Sequence, residues 1–143
     1  RYVMYSWPST RWCGSQIDDL RGKANRTNAE AYYMAHVLAS IREDVPVGLI
    51  GFSYGARVVT GALHVTAGGQ ICGNSLPENM PTRNNIRSVL MAGALHNYWM
   101  WPGCFHGKAL DATDRMLILA NSCDNVLRRY HWLFKGERPQ ALG

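Results

Sequence analysis

The sequence has no closely spaced cysteines and no long apolar run. No apolar stretch reaches the roughly 18 uninterrupted residues of a membrane span, so we expect no transmembrane segment. No C-x-x-C spacing occurs, which argues against the usual metal and redox sites, and we expect no metal. We expect the four cysteines to be buried thiols, with one or two disulfides as the alternative in an exported protein: Cys13, Cys72, Cys104 and Cys123.

Signs of nucleotide or nucleic-acid binding are also missing. Neither G-x-G-x-x-G nor G-x-x-x-x-G-K-[ST] follows any predicted strand, and such motifs cradle nucleotide phosphates, so we expect no organic cofactor. Acidic residues number 10 against 15 basic ones, but the basic residues are spread along the chain. Dispersed cations favour a solvated surface, so we expect no nucleic-acid partner.

The length and composition are those of one globular domain. The chain has 143 residues, of which 47% are hydrophobic and 17% charged, so residues 1–143 are predicted to form a single α/β domain. It opens with Arg1 and shows no charged-then-apolar leader. We therefore expect any targeting signal to lie outside these residues.

The order of apolar segments predicts an open, mostly parallel sheet flanked by helices, with right-handed crossovers. Apolar runs without alternation are typical of strands covered on both faces of a parallel sheet. Strands are predicted over residues 2–7, 45–52, 88–95 and 116–121, and helices over 27–43, 54–66 and 126–134. The first of these helices is placed by the capping-box spacing of Thr27 and Glu30. Residues 9–23 are predicted to be an exposed crossover loop.

Two irregular segments are candidates for function. Residues 68–85 form a long loop, which is either a lid or a passive insertion. Residues 97–105 are crowded with aromatic side chains. These aromatics either line an apolar substrate pocket or roof the core, and the roof is the preferred interpretation.

The sharpest signal is Gly-x-Ser-x-Gly at residues 51–55, between a predicted buried strand and a predicted helix. This is the context of a nucleophile elbow, in which a strained turn holds a serine at the carboxyl edge of the sheet. Gly51 and Gly55 are expected to be glycines because a Cβ would collide at this turn. Ser53 is therefore the candidate nucleophile.

A serine hydroxyl needs a histidine to take its proton and a carboxylate to orient that histidine. Asp124 follows a later predicted strand, as the acid does in sheet hydrolases, although it could also cap the helix that begins nearby. Only His131 follows Asp124, and its position in the predicted helix directs it away from the serine. His36 and His64 lie within helices and are interpreted as surface or packing residues.

Three motifs together resemble the α/β-hydrolase superfamily. They are Ser-Trp-Pro-Ser at residues 6–9, the elbow with Ala-Arg at 51–57, and Asn-Ser-Cys-Asp-Asn-Val-Leu at 121–127. More narrowly, the chain resembles a family of α/β hydrolases of unknown function whose members carry a strand ending in Ser-Trp-Pro-Ser. The resemblance extends across nearly the whole chain.

The resemblance implies Ser53 as nucleophile, Asp124 as triad acid and the backbone N–H of Tyr54 as one oxyanion donor. Members of the family also have earlier strands, one of them between the strand at 2–7 and the elbow strand, followed by a loop that supplies the second oxyanion donor. They end with a further strand and the catalytic histidine. We therefore expect the chain to be an interior fragment of a longer hydrolase and to be inactive by itself.

The expected function is hydrolysis of a small-molecule ester through a Ser-His-Asp triad and an acyl-enzyme, with the histidine outside residues 1–143. Candidate substrate-binding residues surround the elbow and the loop after the third predicted strand: Phe52, His96, Trp99 and His106. The alternative from another class is a non-catalytic α/β scaffold kept for binding or assembly.

Overall fold

A computed structural model describes residues 2–8, 10–11, 14–80, 83 and 85–143. Two α-helices and three strands form its framework: α1 (Gln16–Ser40), β1 (Val47–Phe52), α2 (Tyr54–Thr66), β2 (Ile86–Met91) and β3 (Arg115–Leu119). Two 3-10 helices complete it, one at Ala109–Ala112 and a second at Leu127–Leu133. None of the helices in these described ranges is long and apolar enough to cross a bilayer.

The three strands form one parallel sheet in the order β1-β2-β3, which confirms the predicted open parallel α/β arrangement at this level. Phe52, Met91 and Leu119 stand side by side at the carboxyl ends of the strands. Residues that follow these strands therefore gather at one edge, where ligands bind in open parallel sheets. Ser53 follows β1 directly at that edge.

The core lies between one face of the sheet and the two helices. Ile86 and Leu90 of β2 are fully buried against Leu63 of α2 and Leu38 of α1 in a single apolar cluster. The helices approach closely where a Cβ on Gly61 would lie 2.7 Å from the Ala31 Cβ. Small side chains thus let α1 and α2 pack tightly, and α2 is fixed over the sheet.

The prediction that the strands are covered on both faces is wrong for the described residues. On β1, Ile50 is 74% exposed and Phe52 is 67% exposed, and on β3 Leu117 is 54% exposed. The inward-facing residues of β1 and β2 share their cluster with both α1 and α2. The opposite face has no such cover, although its side chains are as apolar as those of a buried parallel strand.

Two segments differ from their predicted conformations. Residues 2–7 form no strand, and Tyr2, Val3 and Met4 are almost fully exposed. This segment borders a groove along β1 without joining its ladder. Tyr5 instead donates from its hydroxyl to a Glu30 carboxylate oxygen at 2.8 Å, which ties the segment to α1. Ser9, the last residue of the Ser-Trp-Pro-Ser motif, lies outside the described residues.

Helix α1 begins at Gln16, so the predicted loop at 9–23 and the predicted capping box are wrong. The Ser15 side chain accepts a hydrogen bond from the Asp18 N–H and supplies the true cap. Thr27 lies inside the helix, where its hydroxyl donates to the Ala24 carbonyl at 2.6 Å. The predicted helix at 126–134 is a 3-10 helix, Leu127–Leu133.

The expectation of buried thiols also fails for the cysteines that are described. Cys72 and Cys123 are exposed and Cys104 is half-buried, and all three are free thiols. Cys13 lies outside the described residues. The small core is filled by aliphatic and aromatic side chains instead.

Arg83 fastens the segment before β2 to the end of α1. The residue is 6% exposed. Its guanidinium donates hydrogen bonds to the backbone carbonyls of Leu38, Ile41, Arg42 and Val45. The last carbonyls of a helix have no partner within the helix, so a charged donor there satisfies acceptors that would otherwise be buried and unpaired. The described part of the 68–85 loop therefore anchors the amino edge of the sheet.

We predict that Arg83→Met lowers the free energy of unfolding by about 2 kcal/mol, because several buried carbonyls lose a charged donor at once. Urea denaturation measures the change. The control is Arg87→Met, which removes only an exposed ion pair with Asp114 at 3.1 Å and should cost less than about 0.5 kcal/mol. Equal losses for the two variants would contradict this role of Arg83.

Candidate active site

Ser53 occupies a strained turn between β1 and α2. Its φ is 52° and its ψ is −117°, a combination that L-residues rarely adopt and that costs about 1–3 kcal/mol. The turn is held from both sides, because the Ser53 N–H donates to the Met91 carbonyl at 2.9 Å and the Ala94 N–H donates to the Ser53 carbonyl at 3.2 Å. The neighbouring chain thus fixes the geometry that the elbow motif predicts.

Close backbone contact explains the first glycine of the motif but not the second. A Cβ on Gly51 would lie 2.8 Å from the Ala56 nitrogen and Cα and from the Gly55 carbonyl oxygen. Those atoms belong to the backbone of α2 and cannot move aside cheaply. A Cβ on Gly55 would meet only the Trp7 ring, at 4.0 Å, so the predicted collision is found at Gly51 alone.

The amino end of α2 faces the serine. Tyr54 is the first residue of the helix, so its N–H has no acceptor within the helix and lies at the positive end of the helix dipole. The Tyr54 hydroxyl donates to the Leu20 carbonyl at 3.1 Å and anchors this end to α1. An anion that formed beside Ser53 would meet an N–H of the kind that builds an oxyanion hole.

Ser53 opens onto a mainly apolar pocket of about 390 Å³, here called the Ser53 pocket. One wall is the first turn of α1, with Ile17 and Leu20, and the opposite wall comes from the second 3-10 helix, with Leu127, Tyr130 and Leu133. Sequence reasoning missed all of these wall residues. The one related prediction was a helix over residues 126–134, to which no role in a pocket was assigned.

Asp124 borders a second pocket of about 530 Å³, here called the Asp124 pocket. Its Oδ1 accepts hydrogen bonds from the N–H groups of Val126 at 2.8 Å and Leu127 at 2.9 Å, so Asp124 does cap the second 3-10 helix. Among the described residues, Oδ2 accepts none. Leu127 lines both pockets, so the two are neighbours on the same edge of the sheet.

No histidine of the described residues lines the Ser53 pocket. His131 lines the Asp124 pocket instead. His64 on α2 is buried, and its Nδ1 accepts from the Lys108 N–H at 3.1 Å. Ser53 and Asp124 are therefore present at this edge without a proton-accepting imidazole between them.

His96 and His106 are core residues, 5% and 1% exposed. Nδ1 of His96 lies 2.8 Å from the Tyr130 hydroxyl, and Nδ1 of His106 lies 2.9 Å from the Thr60 hydroxyl. Burial, aided by the charge of Arg57, lowers the pKa of His96 to about 4. Burial also holds the pKa of His106 well below its usual value, so both imidazoles are neutral at pH 7.

Arg57 is a buried cation that has no carboxylate partner among the described residues. The residue is 4% exposed, and within the same part of the chain its Nε and Nη1 have no hydrogen-bond partner. Its guanidinium carbon lies 4.6 Å from the centre of a Trp99 ring and 5.7 Å from the Tyr54 ring, so aromatic faces replace the missing anion. Burial lowers the pKa of Arg57, and its positive charge adds to the burial that lowers the pKa of His96 and of His106.

The remaining predicted substrate-binding residues lie away from the Ser53 pocket. Phe52 projects from the uncovered face of the sheet, and Trp99 is 8% exposed within the core. The aromatic segment at 97–105 thus roofs the core with Trp99 and Met100, which agrees with the preferred interpretation. No described residue of the 68–85 loop lines the pocket either.

The described residues include no group of three or more potential metal ligands. Comparison of the chain with models of known protein families, with curated proteins and with solved structures gave no match in any of the three. The structure itself therefore defines the class: a small α/β domain whose three-stranded parallel sheet presents a strained serine at its carboxyl edge.

We predict that Gly51→Ala lowers the free energy of unfolding by about 3 kcal/mol or prevents folding, because its Cβ would lie against the α2 backbone. Gly48→Ala is the matched control on the same strand, since a Cβ there meets nothing within 4 Å, and it should change stability by less than about 0.5 kcal/mol. Thermal or urea unfolding measures both. Similar stability of the two variants would refute the close approach at Gly51.

We predict that His96 makes stability fall on acidification. An unfolded histidine has a pKa near 6.5, whereas the folded value is about 4, so the unfolded chain binds the proton first as the pH falls. The stability that neutral His96 provides is complete above pH 6.5 and is lost progressively towards pH 4, by up to about 3 kcal/mol.

Urea denaturation at intervals between pH 4 and 7 measures this dependence in the parent chain, in His96→Gln and in the control Asn97→Gln. His96→Gln should flatten the fall, and Asn97→Gln, an exposed neighbour, should retain it. A fall of the same size in His96→Gln as in the parent would show that other groups cause the acid sensitivity.

Proposed function

We propose that this chain carries the nucleophile and the acid of a serine hydrolase of the α/β-hydrolase type, which cleaves small-molecule esters through an acyl-enzyme. The observation that supports it most directly is the backbone at Ser53, with φ of 52° between a parallel strand and a helix amino end. Such strain persists only where surrounding contacts impose it, and it clusters at functional sites.

The chemistry follows from the placement of three groups. Ser53 Oγ attacks the acyl carbon, and the carbonyl oxygen becomes an oxyanion that accepts a hydrogen bond from the Tyr54 N–H. A histidine takes the Ser53 proton and gives it to the departing alcohol, so the bond from acyl carbon to alcohol oxygen breaks and an acyl-serine remains. Water then attacks that ester, the histidine takes its proton, and the acid product and free serine are released.

Asp124 orients this histidine in the proposal. Its Oδ1 is engaged by two backbone N–H groups at 2.8 and 2.9 Å, which fix the carboxylate and favour its charged form. Oδ2 is left to accept from an imidazole N–H. Because no histidine of the described residues lines the Ser53 pocket, we propose that the catalytic histidine comes from chain outside residues 1–143 and enters between the two pockets.

We predict that a fluorophosphonate probe labels Ser53 in the protein produced from the complete coding sequence, because an activated serine attacks phosphorus as it attacks an acyl carbon. Ser53→Ala should abolish labelling. Asp124→Asn should slow it on the order of 10³-fold, since the histidine loses its orienting charge. Intact-mass spectrometry with peptide mapping identifies the labelled residue.

The control is Ser40→Ala, an exposed serine at the end of α1 that lines neither pocket, which should label at the parent rate. The 143-residue chain alone should hydrolyse p-nitrophenyl butyrate no faster than its Ser53→Ala variant. Labelling that survives Ser53→Ala, or no labelling at all, would leave the non-catalytic α/β scaffold as the better description. Ester turnover by the 143-residue chain would contradict the external histidine.

A further inference from the structure

Two arginine side chains line the Asp124 pocket. Arg128 and Arg138 lie there together with the carboxylate of Asp124 and the side chain of His131. The Oδ1 of that carboxylate is already engaged by two backbone N–H groups. Asn121 also lines the pocket, and its Oδ1 accepts from the Cys123 N–H at 3.0 Å, so its amide NH₂ is free to donate.

Five cations in the described ranges are paired with carboxylates, and the two arginines of this pocket are not among them. Arg21, Lys23, Arg26, Arg42 and Arg87 each lie within 4 Å of a carboxylate oxygen. Arg128 and Arg138 have no such partner among the described residues, although Glu137 adjoins Arg138 in the chain. Both guanidiniums line one concave surface, and the planar donor fork of each suits phosphate or carboxylate oxygens.

The neighbouring Ser53 pocket has the opposite character. Ile17, Leu20, Val126 and Leu133 supply most of an apolar lining, which suits a hydrocarbon group. The two pockets meet at Leu127. A ligand that fills both must therefore have one apolar arm and one anionic arm.

We infer that the Asp124 pocket binds the anionic group of the substrate, and that the substrate is an ester of an apolar acid with an alcohol bearing a phosphate or carboxylate. The assignment of the arms rests on the proposed hydrolase function. The departing alcohol takes its proton from the histidine that Asp124 orients, so the alcohol arm lies on the Asp124 side. The acyl arm then lies in the Ser53 pocket. Anion binding itself does not depend on catalysis.

The test measures binding of monomeric octyl phosphate to the Ser53→Ala form of the 143-residue chain by calorimetry at low salt. This variant cannot form an acyl-enzyme, so binding and catalysis are tested separately. Octyl phosphate should bind at least about tenfold more tightly than 1-octanol, and added salt or inorganic phosphate should weaken its binding. Replacing both pocket arginines, Arg128→Gln with Arg138→Gln, should raise the Kd about tenfold.

The matched control replaces two arginines on β2 and β3, Arg87→Gln with Arg115→Gln, which removes the same charge from another surface. It should leave the Kd within about twofold of the parent. Equal affinity for octyl phosphate and 1-octanol, or equal losses in the two double variants, would overturn the anion site. Binding to phosphatidylglycerol vesicles without binding of the monomer would assign the cations to a lipid surface and overturn the small-molecule substrate.

These outcomes separate the two proposals. Octyl phosphate binding without fluorophosphonate labelling would keep the anion site and reject the hydrolase. Labelling of Ser53 without selective anion binding would keep the hydrolase and reject the substrate class. Because the side chains of Arg128 and Arg138 are exposed and make no hydrogen bond to the described residues, their replacement should leave the thermal unfolding curve unchanged, which confirms that the variants are folded.

Discussion

The contact on which the structure depends is the close approach of β1 to α2 at Gly51. Only a residue without a Cβ fits where the chain reverses direction, because a Cβ on Gly51 would lie 2.8 Å from the α2 backbone. That reversal forces Ser53 to a φ of 52°. The cost is met by the ladder between β1 and β2, by the Ala94 N–H on the Ser53 carbonyl, and by the buried face of α2. The position of the serine is thus a consequence of packing.

Sequence patterns predicted the parts of the fold that local chemistry controls. Helix α2 ends just before Gly68 and Gly69, and each of the three strands lies in or beside one of the apolar runs that predicted it. Two elements escaped. The start of α1 at Ser15 and Asp18 was not predicted, because it lies in a segment rich in polar residues. Thr27 and Glu30 have the same three-residue spacing, but they lie inside the helix. Residues 2–7 have strand-like composition, but pairing depends on a neighbour that local sequence does not specify.

The sequence also predicted part of the candidate site, namely the positions of Ser53 and Asp124, but not the walls of the pocket. Gly-x-Ser-x-Gly placed Ser53, and the carboxyl end of β3 placed Asp124 near the same edge. The walls of the Ser53 pocket come from the start of α1 and from a 3-10 helix, and long-range packing alone brings them together. His96, Trp99 and His106 follow the right strand, yet they turn inward to enclose Arg57. Proximity in sequence to a strand end does not decide which way a side chain points.

The arginines near the site are of two kinds, one buried among aromatic rings and two exposed at a pocket rim. Arg57 lies among aromatic rings, and burial, with a smaller contribution from the Arg57 charge, lowers the pKa of His96 and of His106. Arg128 and Arg138 lie exposed at the rim of the Asp124 pocket. The central claim is that packing holds Ser53 in the elbow conformation, and its most direct test is the backbone torsion of Ser53 in a high-resolution crystal structure of the chain. We predict a positive φ near 52° with ψ near −117°, and a helical or extended φ below zero would contradict the claim.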